Sequence, residues 1–297
     1  MIAHDMWSTE ATAIMRRIVA ESDADILIFN GAIERSWDER IIRRLGKRTC
    51  KPNLFMVVVT NGGDPHVAFR MGRAVQNHYE KVTMCVSGVC KSAGTLLLLA
   101  GNDLAISEHG ELGPLDIQMA QKDELMEYES GLTVITALSA IHENAQDAFD
   151  HFLLSLTTRS GGRITTRTAS EIAAKLTEAL FRPISEQIDP IHMGEVKRSM
   201  AIAKEYGRRL NEKSKNLKED ALDSLVSGYP SHSFAIDLEE AKNLFKNVRK
   251  CTKDELLLLD DLDDLSLTPG SRGWLRFLSD DILEEDAKNA ATDAATA

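Results

Sequence analysis

Four short apolar runs constrain this chain more than any other feature: Asp25-Ile-Leu-Ile-Phe29, Leu54–Thr60, Val82–Val86 and Leu104–Ser107. Their apolar content is nearly unbroken, which suits strands covered on both faces rather than strands with one wet side. Helical patterns separate them. One lies near 36–46. A second starts at Asp64-Pro65, where proline is tolerated early in a helix, and runs through about Tyr79. A third covers Ser92–Ala100. Strand and helix in alternation predict an α/β fold, a parallel sheet with flanking helices. A further helix over 8–21 precedes the first strand, with Ser8 or Thr9 as its cap and Ile14, Ile18 and Val19 as its apolar stripe.

Beyond residue 120 the strand signal stops and a helical region is expected. Leu132–Leu156 carries Leu138, Ile141, Ala145, Phe149, Phe152 and Leu156 on roughly one face. Ala169–Leu180 and Val196–Leu210 read as helices too. After residue 249 leucine alternates with acid in Leu256–Leu265, Pro269-Gly270 breaks the pattern, and the end is acidic and alanine-rich. The expected organisation is an N-terminal helix over 1–23, an α/β domain over 24–248, and an acidic appendage over 249–297, disordered past about 285.

The chemistry concentrates at two turns. Gly88-Val-Cys-Lys-Ser92-Ala-Gly94 joins a strand to an apolar helix, and small residues flank the serine, so its hydroxyl can be presented at a helix start. Thirty positions upstream, Thr60-Asn-Gly62-Gly63-Asp64 follows another strand. Bare N–H groups there could face a developing oxyanion. The structural alternatives are a serine that only caps its helix and an ordinary Asn-Gly turn.

These two turns, in this order and spacing, resemble those of the Clp proteases and signal peptide peptidases of the crotonase superfamily. Further segments narrow the resemblance: Ser107–Gln118 with Gly113-Pro114-Leu-Asp116, Ser160–Ala169, Glu186–Glu195 with Asp189-Pro-Ile-His192, and Tyr229–Ala241 with His232. Together they are similar to the Clp-like family called serine dehydrogenase proteinases, over roughly 24–248. No Gly-x-Gly-x-x-Gly opens a helix, so nothing reads as a dehydrogenase. The resemblance implies a Clp protease/crotonase-like parallel sheet with a helical C-terminal region. It also implies a serine endopeptidase acting through an acyl-enzyme on Ser92, with Gly62, Gly63 and Ala93 at the oxyanion turn. Helices in the later region would meet neighbouring subunits, giving a homo-oligomer.

A serine nucleophile needs a base. The family pattern places a histidine after the strand that follows the nucleophile helix and an aspartate later. Here the first place offers Asp116 and the later one His232, so the two roles would be exchanged: His232 as base, Asp116 orienting it. The plain alternatives are a helix-capping His232 and an Asx turn at Asp116. Lys91 is a rival base by likeness to Ser–Lys peptidases, although a solvated or ion-paired lysine is the simpler expectation, and His192 is another.

Composition narrows the partners. The 297-residue chain has a formal net charge of −11, which argues against nucleic acid and anionic membrane surfaces. Arg40, Arg43, Arg44, Lys47 and Arg48 form one basic cluster, expected as a solvated helix face. No run approaches a membrane span and no start resembles a signal peptide, so a soluble cytoplasmic protein is expected. Cys50, Cys85, Cys90 and Cys251 match no zinc spacing, and buried free thiols are expected at Cys85 and Cys90. No metal or cofactor is expected, and the substrate would be a peptide or protein. Two other functions fit the same turns: a catalytically silent Clp-like scaffold, and a crotonase-type acyl-CoA enzyme.

Overall fold

The computed structural model describes residues 7–47, 51–115, 118–120 and 128–282. They fall into two units, Met1–Ile117 with Met200–Ala297, and Gln118–Ser199.

The first unit opens with α1 (Thr9–Ser22), whose Ser8 side chain accepts the Ala11 N–H as an N-cap should. Strand β1 (Ala24–Asn30), helix α2 (Trp37–Leu45), β2 (Asn53–Val59), α3 (Pro65–His78) and β3 (Lys81–Val86) follow. Asp64 caps α3, accepting from His66 N, and proline occupies the first turn, as its missing N–H allows. Then come a two-residue strand β4 (Val89–Cys90), the short helix α4 (Ala93–Leu98), β5 (Asp103–Ile106) and β6 (Glu111–Leu112). The second unit contains β7 (Gln118–Ala120), β8 (Tyr128–Ser130), α5 (Gly131–Arg159) and α6 (Thr166–Ser185). The division falls within α7 (Pro190–Ser214). The first unit resumes with α8 (Ala221–Asp223), a π-helical turn Ser224–Gly228, α9 (Leu238–Leu244), β9 (Val248–Lys250), α10 (Lys253–Leu262), α11 (Asp264–Leu267) and β10 (Trp274–Phe277).

The main sheet has the order β10-β1-β2-β3-β5-β9. Every pairing is parallel except β10 on β1, which is antiparallel at the edge. Strand alternation divides the core in two. Leu54, Met56 and Val58 of β2 join Leu27, Phe29, Met84 and Ile106 under α2, α3 and α4. Phe55, Val57 and Val59 join Ile26, Ile28, Cys85 and Ala105 under α1 and α10. Both faces are therefore dry, which explains the unbroken apolar runs.

Beyond residue 120, where no strand was expected, lie β8, β9 and β10. Each has three or four residues, too few for a period-2 signal to stand out. Residues 249–282, expected as an appendage, supply α10, which packs on α1, and the edge strand β10. The alternation of leucine and acid was an amphipathic helix: Leu258, Leu259 and Leu262 are buried while the acids face out. Thr252 and Glu255 close its start in a reciprocal capping box. The expected disorder past 285 lies outside the described residues.

Candidate active site

A short ladder beyond the main sheet positions the site. Thr60 bridges Cys90 in parallel, β4 pairs with β6 through Cys90↔Leu112, and Leu112 bridges Ile236 antiparallel. Four chain segments thus lie side by side through single residues. From them lead Gly62-Gly63, Ser92, Gly113-Pro114 and the Tyr229–Phe234 loop, all within a few residues of the ladder.

Ser92 has φ 52° and ψ −117°, a conformation costly for a residue with a Cβ. It stands at the N-cap of α4 but makes no side-chain cap bond, so the capping alternative for this serine does not describe it. Its half-buried side chain is held against Gly62: a Cβ on Gly62 would lie 2.9 Å from Ser92 Cβ and 3.3 Å from Ala93 N. Gly94 is needed beneath, because a Cβ there would meet Thr60 Cγ2 at 2.4 Å and Cys90 Sγ at 2.9 Å. Thr95 Oγ1 donates to Gly113 O at 2.7 Å, tying the helix to the segment after β6. Burial pushes the Cys90 thiol up, so it sits under the turn as an uncharged packing group.

The glycine turn is built for close approach. Gly62 and Gly63 have φ of 109° and 141°. Gly62 N–H donates to Thr60 Oγ1 at 3.0 Å, so that amide is committed to the turn. Ile33 N donates to Gly62 O at 2.8 Å and Asp64 N donates to Ile33 O at 2.7 Å. In such a parallel bridge the N–H of the central residue, Gly63, points to the edge away from Ile33. Thr60 and Ile33, which orient this turn, were missed in the sequence. A threonine two residues before the first glycine was the available signal.

Lys91 is 9% exposed, and its ammonium lies 2.9 Å from Glu111 Oε1. Of the two simpler expectations for it, a solvated or an ion-paired lysine, burial excludes the first and this geometry matches the second. His232 lies in the turn before Ile236, where Phe234 N donates to Ser231 O. Helix α9 is capped by Asp237, which accepts from Glu240 N at 2.9 Å, so His232 is not that cap. The His232 loop is anchored at both ends. Tyr229 packs against Phe234 with ring centroids 4.9 Å apart and planes tilted by 38°, and it donates to Glu240 Oε1 at 2.9 Å. Burial, then the bond to Glu240, pushes the Tyr229 hydroxyl up. Asp116 lies outside the described residues. His192 belongs to the second unit, in the first turn of α7, where Asp189 Oδ1 accepts its backbone N–H at 3.2 Å. The structure thus brings Gly62, Ser92, Ala93 and Lys91 together in the first unit and leaves His192 in the second.

Among the described residues, no three His, Cys, Asp or Glu side chains gather as a metal-binding group. Among them too, no helix is long and apolar enough to cross a membrane.

No protein-family model and no curated protein matches this chain. Among the solved structures that align with it are two of low sequence identity. One is a mutant form of the 1510-N membrane-bound stomatin-specific protease, 15% identical over 77% of this chain and 97% of that one, with a TM-score of 0.31. The other is a methylmalonyl CoA decarboxylase complexed with 2S-carboxypropyl CoA, 10% identical over 63% of this chain and 90% of that one, with a TM-score of 0.28.

Proposed function

We propose that this protein is a serine peptidase of the Clp-like kind, with Ser92 as nucleophile. The observation that carries the proposal is the strained Ser92 at a strand-to-helix turn, packed on Gly62. Strain at one non-glycine residue persists only where the surroundings over-determine it, and such residues cluster at reactive sites. Attack by Ser92 Oγ on a peptide carbonyl would form a tetrahedral oxyanion. The amides of Gly63 and Ala93 would donate to it, since the Gly62 amide is already held by Thr60.

His232 is the base of this mechanism and Asp116 its orienting partner. Support comes from the antiparallel bridge Leu112↔Ile236. It sets the loop of His232 beside β6, whose partner strand β4 leads into Ser92. His232 would take the Ser92 proton on attack and return it to the leaving amine. An extended substrate held by main-chain hydrogen bonds fits the open edge of Gly63. Cytoplasmic residence and assembly with further copies belong to the same proposal. Assembly is supported by Ile172, Leu176, Leu180 and Ile184, an apolar row on α6 that is 38–54% exposed. Sedimentation of a strict monomer at micromolar concentration would remove that part.

Labelling with a fluorophosphonate probe tests the chemistry. The expected result is one adduct on Ser92 and a labelling rate lowered at least about 1000-fold in His232→Ala, as for loss of a triad base. A folded wild type that takes no label would overturn the peptidase proposal in favour of a silent scaffold. Tight binding of CoA in its place would favour the acyl-CoA enzyme.

A further inference from the structure

We propose that Lys91 is a positioning residue, a buried cation that clamps together the three segments from which the site is built. This rests on Ser92 as nucleophile and His232 as base. Lys91 itself precedes Ser92, and its backbone N–H donates to Thr60 O at 2.9 Å, on the glycine-turn side. Its side chain runs the opposite way. The stem crosses Gly113, where an added Cβ would lie 2.5 Å from Lys91 Cδ and 3.3 Å from its Cα. The ammonium then reaches Leu112 O at 3.4 Å, Phe234 O at 3.4 Å and Glu111 Oε1 at 2.9 Å. Leu112 leads into the segment of Asp116, and Phe234 is two residues from His232.

The physical logic follows from burial. A cation withdrawn from water is tolerated only when its donors are matched by acceptors, and removing it leaves those acceptors unmatched. A lysine has three N–H donors, and here three oxygens stand within 3.4 Å of the nitrogen, one from each of three residues on two chain segments. Among the described residues, the segments after β6 and before Ile236 share one backbone bridge, Leu112↔Ile236, with 2.9 Å bonds each way. A single bridge leaves a hinge, and the ammonium is a second point of attachment beside it. Two points fix an angle where one does not. Gly113 is required because only a residue without a Cβ lets the lysine stem pass between the segments.

This places Lys91 in a different role from a general base. A base needs an open lone pair aimed at the serine, whereas this nitrogen is turned onto carbonyls and a carboxylate on the side away from Thr60. Glu111, with its side chain 37% exposed, is the outer end of the clamp and neutralises the charge without sealing it from solvent.

The test compares wild type, Lys91→Met, Lys91→Arg and Glu111→Gln by hydrogen exchange and by fluorophosphonate labelling. In Lys91→Met, the amides of Leu112, Gly113 and Ile236 are expected to exchange at least about tenfold faster while those of β1–β3 keep their protection. Labelling of Ser92 is expected to fall by about tenfold or more in the same variant. Lys91→Arg should restore most of both, with the pH midpoint of labelling unchanged, and Glu111→Gln should loosen the same amides to a smaller extent while folding fully. Unchanged exchange and labelling in Lys91→Met would overturn the clamp. So would a Lys91→Arg protein with restored protection but no labelling, because residue 91 would then be taking the proton itself. If wild type takes no label, the nucleophile assignment fails instead, and the exchange pattern alone decides the clamp.

Discussion

Ser92→Ala is expected to abolish fluorophosphonate labelling and peptide hydrolysis while leaving the urea midpoint close to that of wild type. The alanine keeps the Cβ packed near Gly62 and removes only Oγ, which makes no cap bond to α4. Ser92→Gly sharpens the expectation. A non-glycine residue at φ 52°, ψ −117° costs about 1–3 kcal/mol. Glycine relieves that strain, but its greater freedom in the unfolded chain offsets about 0.5–1 kcal/mol. Ser92→Gly should therefore unfold harder than Ser92→Ala, by up to about 2.5 kcal/mol, though equally inert. Equal stability of the two variants would mean that the strain stored at this turn is no larger than that entropic offset. Residual turnover in either one would move the nucleophile elsewhere.

The other large effect is expected at Gly62. At φ 109° a side chain is strained whatever space surrounds it, and here there is little: Ser92 Cβ at 2.9 Å and Lys91 O at 3.0 Å from the built Cβ. Relief requires the Lys91–Ser92 turn to move away from the glycine turn, because both contacts belong to the two residues that precede Ala93. Gly62→Ala should lower stability by about 2–4 kcal/mol, the range for strain combined with overpacking. Labelling should fall at least about 100-fold, the size of effect seen when an oxyanion donor is displaced. Gly161→Ala is the control. It too has a positive φ, 57°, but nothing within 4 Å of the added Cβ. It should cost about 1–2 kcal/mol, from backbone strain alone, with labelling intact. If Gly62→Ala labels at the wild-type rate, the two turns do not cooperate in one site.

Much of the frame could be read directly. The four apolar strands β1, β2, β3 and β5 were legible because burial on both faces leaves little polar interruption, and Asp64-Pro65 and Ser8 marked helix starts through their own capping chemistry. The Ser92 turn and the glycine turn were legible as turns because small residues between a strand and a helix mark a close backbone approach. The short strands β9 and β10 were not, since three or four residues carry too little periodicity and their placement depends on which edges remain unpaired. Nor was the partnership of Lys91 with Glu111 and Phe234 O, whose members are 20 and 143 positions away (111 − 91 and 234 − 91).

The division has one physical cause. Local conformational preference and face-by-face burial are written in neighbouring residues, so strands, caps and the two turns follow from the sequence itself. Which distant segments lie beside one another depends on how the packed sheet orders its strands. Only the tertiary structure could show that Thr60, Cys90, Leu112 and Ile236 form one ladder. Only there does Gly62 meet Ser92 and a lysine beside the serine reach the loop of His232, because those contacts are made by through-space packing that no local pattern encodes.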